Sequence, residues 1–152
     1  MIFICALFLS MSSVLAGDSL LDSITIAESG AKIQAERLRI VSENIANADS
    51  LWLNKKKEPY RRKVIIAKNG YNSKSGLRVV RYVISSDTKT PFSKKYEPNH
   101  PLSDKDGYVL IPNVIKDIER ADAMEANVSY DANLKVIKIS SDMIKSTIDL
   151  IK

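Results

Sequence analysis

The sequence predicts an α+β fold: two long terminal helices that pair as a coiled coil, with a small β-rich domain between them. Three observations predict it. All five prolines lie between Pro59 and Pro112, and seven of the ten aromatic residues lie between Trp52 and Tyr108. Proline is excluded from helix interiors but used freely in turns and at strand ends, so helices are predicted on either side of this segment. Apolar residues in both flanks recur in steps of three and four, the period of a helix face. Charge follows the same partition: residues 55–96 hold thirteen Lys/Arg against two acids, Glu58 and Asp87, a local +11, whereas the remainder holds ten bases and sixteen acids, or −6. The predicted organisation is an N-terminal extension over 1–17, a helix over 18–50, a β-rich domain over 51–112 and a second helix over 113–152.

Residues 1–16 are apolar and carry no charge. The stretch is short for a membrane-spanning helix, and Ser10, Ser12 and Ser13 weaken it further. Its length suits the core of a signal peptide, and Val14-Leu15-Ala16 before Gly17 suits a cleavage site, yet the positive front of a signal peptide is missing. A weak export signal, a membrane-proximal anchor and an upstream extension from a misassigned start all fit.

Ser19 with Asp22 resembles a capping box at the start of the first helix. From there Ile24, Ala27, Ala31, Gln34, Leu38, Val41, Ile45 and Ala48 form a heptad seam with Gln34 as its one polar member. Glu28, Lys32, Glu36, Arg37, Arg39 and Glu43 occupy the other faces. The seam is narrow and rich in alanine, so it permits close approach of a neighbouring helix. Gly30 inside it costs about 1 kcal/mol against alanine. A helix of this kind draws its stability from packing, either on its own chain or on other subunits.

Asn47-Ala48-Asp49-Ser50 ends the helix with turn-forming side chains. Pro59 to Ile66 reads as a strand, Asn69-Gly70 as a turn and Leu77 to Ile84 as a second strand. Pro91 to Tyr96 supplies a third short strand, followed by a rigid loop through Pro98 and Pro101, a turn at Asp106-Gly107 and a strand over Tyr108 to Ile111. Asn113 after Pro112 is the predicted cap of the last helix. Along that helix one stripe runs Val114, Ile118, Ala121, Glu125, Val128, Ala132, Val136, Ile139, Met143, Ser146 and Leu150, with a stutter at 128, 132 and 136. A second stripe, Leu134, Ile137, Ile144, Ile148 and Ile151, widens the apolar face until one partner helix is too few to cover it. Excess apolar face points to self-assembly, and head-to-tail contacts that do not close give a filament.

Much of enzyme chemistry is excluded. One cysteine, Cys5, precludes an internal disulfide, and one histidine, His100, precludes a multi-histidine metal site. His100 has no second histidine beside it and Cys5 is far away in sequence, so it reads as structural, because a base needs an oriented partner. No glycine-rich phosphate loop occurs and no pair of carboxylates stands out by spacing. No cofactor and no small-molecule substrate are predicted. The basic middle leaves an alternative: a nucleic-acid or membrane-surface binder using residues 55–96. Its simpler explanation is a solvated lysine-rich surface or strand edge.

Three motifs carry a family resemblance. Arg37-Leu38-Arg39-Ile40 followed by Ser42-Glu43-Asn44-Ile45-Ala46-Asn47-Ala48-Asp49-Ser50 resembles the N-terminal signature of bacterial flagellar rod and hook axial proteins. Tyr96 to Asp104, then Gly107-Tyr108-Val109 and Pro112-Asn113-Val114, resembles their proximal-rod members. Ser129-Tyr130-Asp131-Ala132-Asn133 resembles the shared C-terminal S-Y-x-A-N signature. The resemblance covers residues 20–152. It implies a non-enzymatic subunit of the basal-body rod, whose terminal helices form an inner layer around the export channel and whose β-domain lies outside. It further implies copies of itself, other rod subunits, a basal-ring adaptor protein and the flagellar type III export apparatus as partners. The family's members begin near the position of residue 18, so residues 1–17 stand apart as an extension. The assembly positions are then Ile24, Ala27, Ala31, Leu38, Val41, Asn44, Ile45, Ala46, Asn47 and Ala48 in the first helix, and Val128, Tyr130, Ala132, Asn133, Val136, Ile139, Met143 and Leu150 in the second.

Overall fold

The computed structural model describes residues 15–51 and 58–151, and the side chains from residue 19 onward. The leader-like stretch, up to residue 14, lies outside the described residues. The order of elements is α1 (Leu15–Ala46), β1 (Lys63–Asn72), β2 (Leu77–Ser86), β3 (Ser93–Tyr96), β4 (Tyr108–Ile111) and α2 (Lys116–Asp149). Two long helices and a small central sheet region make an α+β fold. At ~1.5 Å rise per residue, α1 is about 48 Å long and α2 about 51 Å.

α1 runs straight through Ser19 and Asp22, so the capping box predicted there is not a helix start. The Ser23 hydroxyl donates to the Leu20 carbonyl instead. Small Ala27 and Ala31 with Ile33, Ile40 and Val41 are buried along the helix. The helix ends as Asn47 Nδ2 donates to the Glu43 carbonyl at 2.9 Å, and the Ser50 and Ala48 amides close tight turns behind it.

The β-region is two separate antiparallel pairs rather than one sheet. β1 and β2 form a ten-residue ladder from Lys63 opposite Ser86 to Asn72 opposite Leu77. The predicted turn at Asn69-Gly70 lies inside this ladder, and the chain reverses over 73–76. Gly70 serves close approach: a Cβ there would sit 2.4 Å from Cγ of Arg81, whose side chain crosses the strand to donate to the Tyr71 carbonyl. The hairpin packs on α1, where the Val80 amide donates to Ser29 Oγ at 3.1 Å.

β3 and β4 pair from Ser93 opposite Ile111 to Tyr96 opposite Tyr108, whose rings meet edge-on at 5.3 Å. The double-proline loop between them is braced from within. Asp104 Oδ1 accepts from the Asp106 and Tyr108 amides, and His100 Nδ1 accepts from the Leu102 amide at 3.1 Å. Before β3, Asp87 organises a turn. Hydrogen bonds from the Thr90 hydroxyl and amide hold its carboxyl below the usual range. Arg61 lies 4.0 Å over the Phe92 ring and donates to the Asp87 and Thr90 carbonyls.

Asn113 does not cap α2, which starts at Lys116 after an extended Ile115. Asn113 is buried and accepts from the Arg62 amide at 2.8 Å while donating to the Asp87 and Thr90 carbonyls. Its carboxamide matches these loop groups better than an N-cap, because one side chain there satisfies three separated backbone groups.

Candidate assembly interface

α1, β1 and α2 meet at Asn44, which is 1% exposed. Its Oδ1 accepts from the Lys63 amide and the Tyr60 hydroxyl, both at 2.9 Å. Its Nδ2 donates to the Lys63 carbonyl at 2.8 Å and to Glu119 Oε2 at 2.9 Å. Two acceptor positions and two donors are thus filled, which exhausts the side chain's capacity. Glu119, equally buried in the first turns of α2, is paired with Arg62, while Lys63 pairs with Glu43. Burial, with Glu43 and Glu119 nearby, pushes the Tyr60 hydroxyl from 10.0 up to about 12. Nothing in the periodicity singles out Glu119 or Tyr60; the signal available was Asn44 itself, a carboxamide within the N-terminal motif.

From this junction α1 and α2 run antiparallel, and their contacts recur at seven-residue intervals. Asn44 meets Glu119, Arg37 pairs with Asp122 and Glu125, Gly30 meets Asn133, and the Ser23 and Ser140 hydroxyls bond at 2.9 Å. Ala126, fully buried, lies in the same row of α2 as Glu119, Asn133 and Ser140. Gly30 is required by this approach: a Cβ would lie 2.5 Å from Asn133 Oδ1, while Asn133 Nδ2 is tied to the Ser129 carbonyl. The glycine that weakens α1 as a helix lets the S-Y-x-A-N asparagine sit against it.

The row α2 turns to α1 is therefore made of Ala126 and polar side chains, with Tyr130, Ile137 and Ile144 half-covered, and its stripe through Val128, Ile139 and Met143 turns outward. Val128 is 71% exposed, Ile139 60%, Met143 51% and Leu150 88%. Val136 and Ala132 are exposed in the same stripe. Ordinary amphipathic helices do the opposite. The assembly positions named from sequence divide accordingly. Ala27, Ala31, Val41, Asn44 and Ala48 are buried within the chain. Ile24, Leu38, Ile45, Asn47, Tyr130 and Asn133 are partly covered, and Ala46 is exposed.

A groove of about 320 Å³ separates α1 from β1, lined by Ile33, Ile40, Val64 and Ala67 together with Gln34 and Arg37. Among the described residues, no group of three or more His, Cys, Asp or Glu converges to hold a metal ion.

No protein-family profile matches the chain. Individual proteins do. The chain is 44% identical over 135 residues to the flagellar basal-body rod protein FlgC of Agrobacterium fabrum, spanning 89% of this chain and 97% of that protein. It is 34% identical over 133 residues to FlgC of Buchnera aphidicola from Schizaphis graminum, and 33% identical over 132 residues to FlgC of Salmonella typhimurium, each match covering 87% of this chain and 98% of the relative. With near end-to-end matches at this identity, and the three motifs in order along the chain, the protein belongs to the FlgC family of flagellar basal-body rod proteins.

Proposed function

We propose that the chain is a structural subunit of the proximal rod of the flagellar basal body, stacking with copies of itself and with other rod subunits into the drive shaft and export channel. In this reading α1 and α2 act as a coiled-coil pair in the inner layer, with 18–50 and 113–152 as the helical part and 51–112 as the outer domain. Export proceeds through the flagellar type III apparatus, and an adaptor protein joins the rod to the basal ring. The observation that carries the reading is the outward apolar stripe of α2. In an aqueous monomer that face is a cost; packed among neighbouring helices it becomes the main driving force, at roughly 25 cal/mol per Å² of apolar surface covered. Val128, Ala132, Val136, Ile139, Met143 and Leu150 then contact neighbours, while Ala27, Ala31, Val41, Asn44 and Ala48 build the subunit that presents them.

Ile139→Glu and Met143→Glu test this. Both sites are exposed, so each variant keeps the stability of the parent to within about 0.5 kcal/mol. Each nevertheless abolishes rod assembly and motility when it replaces the native subunit. Motile cells with intact hooks would overturn the reading. A nucleic-acid or membrane role for residues 55–96 gains no support from the relatives, which are basal-body rod proteins.

A further inference from the structure

Between Lys63 and Ser86 the β1–β2 hairpin carries five basic residues and no acid. Lys68 and Arg81 stand directly opposite one another across the ladder, and among the described residues neither has an acidic partner. Like charges facing each other across an antiparallel pair are destabilising. The next pair on the same side of the ladder is Ile66 opposite Val83, 47% and 45% exposed. Ile65 and Ala67, on the other side, line the groove against α1, joined there by Val64 near the start of the strand on this side. The hairpin thus turns to solvent an apolar pair beside an uncompensated cation pair.

The chain holds the complementary surface elsewhere. On α2, Met124 and Val128 are 70% and 71% exposed and are followed on the same face by the exposed Asp131, which has no ion-pair partner among the described residues. The spacings agree. Lys68 lies about 7 Å beyond Ile66 along the strand at ~3.4 Å per residue. Asp131 lies about 4.5 Å beyond Val128 and about 10 Å beyond Met124 along the helix at ~1.5 Å per residue, which brackets that distance. Within one chain both elements pack on α1, and the hairpin strands do not pack directly along α2.

Resting on the rod-subunit reading, we propose that the Ile66/Lys68/Arg81/Val83 face of one copy docks on the Met124/Val128/Asp131 face of the next, with Asp131 between the two cations. The two faces differ, so the contact is head-to-tail and propagates along an assembly instead of closing a dimer.

The test expresses the full-length chain, in a Cys5→Ser background, in a normally flagellated strain from which the native subunit has been deleted. Ile66→Cys and Val128→Cys chains are expressed together and oxidised briefly. The expected result is a disulfide-linked dimer from the mixture and none from either chain alone. Lys68→Glu with Arg81→Glu loses that dimer, and adding Asp131→Lys restores it. Rods that assemble without the mixed cross-link, or a cross-link between two Val128→Cys chains, would overturn the docking while leaving the rod reading intact. Failure of the Cys5→Ser parent to enter basal bodies at all would sink both.

Discussion

Asn44 holds three elements together with one side chain, and the consequence of losing it is correspondingly large. Asn44→Leu keeps the branched shape but strands the Lys63 amide, the Tyr60 hydroxyl and one oxygen of buried Glu119. Each unsatisfied buried group costs about 1–3 kcal/mol, and some relaxation is available at the edge of the site, so a net loss of about 3 kcal/mol is expected in urea denaturation. Asn47→Ala removes one bond to the carbonyl of Glu43 at a helix end and should cost less than about 1 kcal/mol. Tyr60 adds a pH signature. Its hydroxyl is held neutral to about 12 in the folded state against 10.0 for the ordinary group. Ionisation therefore favours the unfolded chain: stability is whole below about pH 10 and declines as pH rises toward 12. Denaturation midpoints taken at about pH 9 and about pH 11 should diverge for the parent, and the gap should narrow in Tyr60→Phe.

At the scale of elements, the α1–α2 pair is held by fit and hydrogen bonds more than by apolar burial. Gly30→Ala gains about 1 kcal/mol of helix propensity but places a methyl against the Asn133 carboxamide. The bulkier Gly30→Leu forces the helices apart and should cost about 1–3 kcal/mol as overpacking. Truncating the opposing side chain relieves it. Gly30→Leu with Asn133→Ala should show a coupling of about 1 kcal/mol in a double-mutant cycle, measured by thermal or urea unfolding. Additive losses would mean that the two positions do not share one contact. The hairpin illustrates a different limit of sequence reading. Asn69-Gly70 has the composition of a tight turn, yet the ladder continues through it, with Arg81 occupying the space above Gly70.

For the whole molecule, the apolar surface is distributed in the wrong sense for a solitary domain. α2 keeps its polar row inside and leaves Ile118, Val128, Ile139 and Leu150 in water. Purified parent chain should therefore associate with rising concentration in sedimentation velocity, and Ile139→Glu should remain monomeric over the same range with unchanged helicity. An equally monomeric parent would show that the stripe alone is too weak to drive association and that a different subunit must supply the first contact.

Much of this was written in the residue order. The confinement of proline between 59 and 112 set the partition into helix, β-region and helix, because proline lacks the amide a helix needs. The three- and four-residue steps identified both helices, and three ordered motifs identified the family. Periodicity states which residues share a face, but it does not state what covers that face. Hydrophobicity marked the stripe through Val128, Ile139 and Leu150 as an assembly face, but it did not mark the row that meets the first helix. Tertiary structure supplied that row: Asn44, Arg37, Gly30 and Ser23 of α1 meet Glu119, Asp122, Asn133 and Ser140 of α2. The same logic moved Asn113 from a cap to a staple and Asn69-Gly70 from a turn to a strand. For Asn113, contacts from distant segments outweighed a capping preference worth about 1 kcal/mol, and for Asn69-Gly70 pairing with the facing strand outweighed the local turn preference.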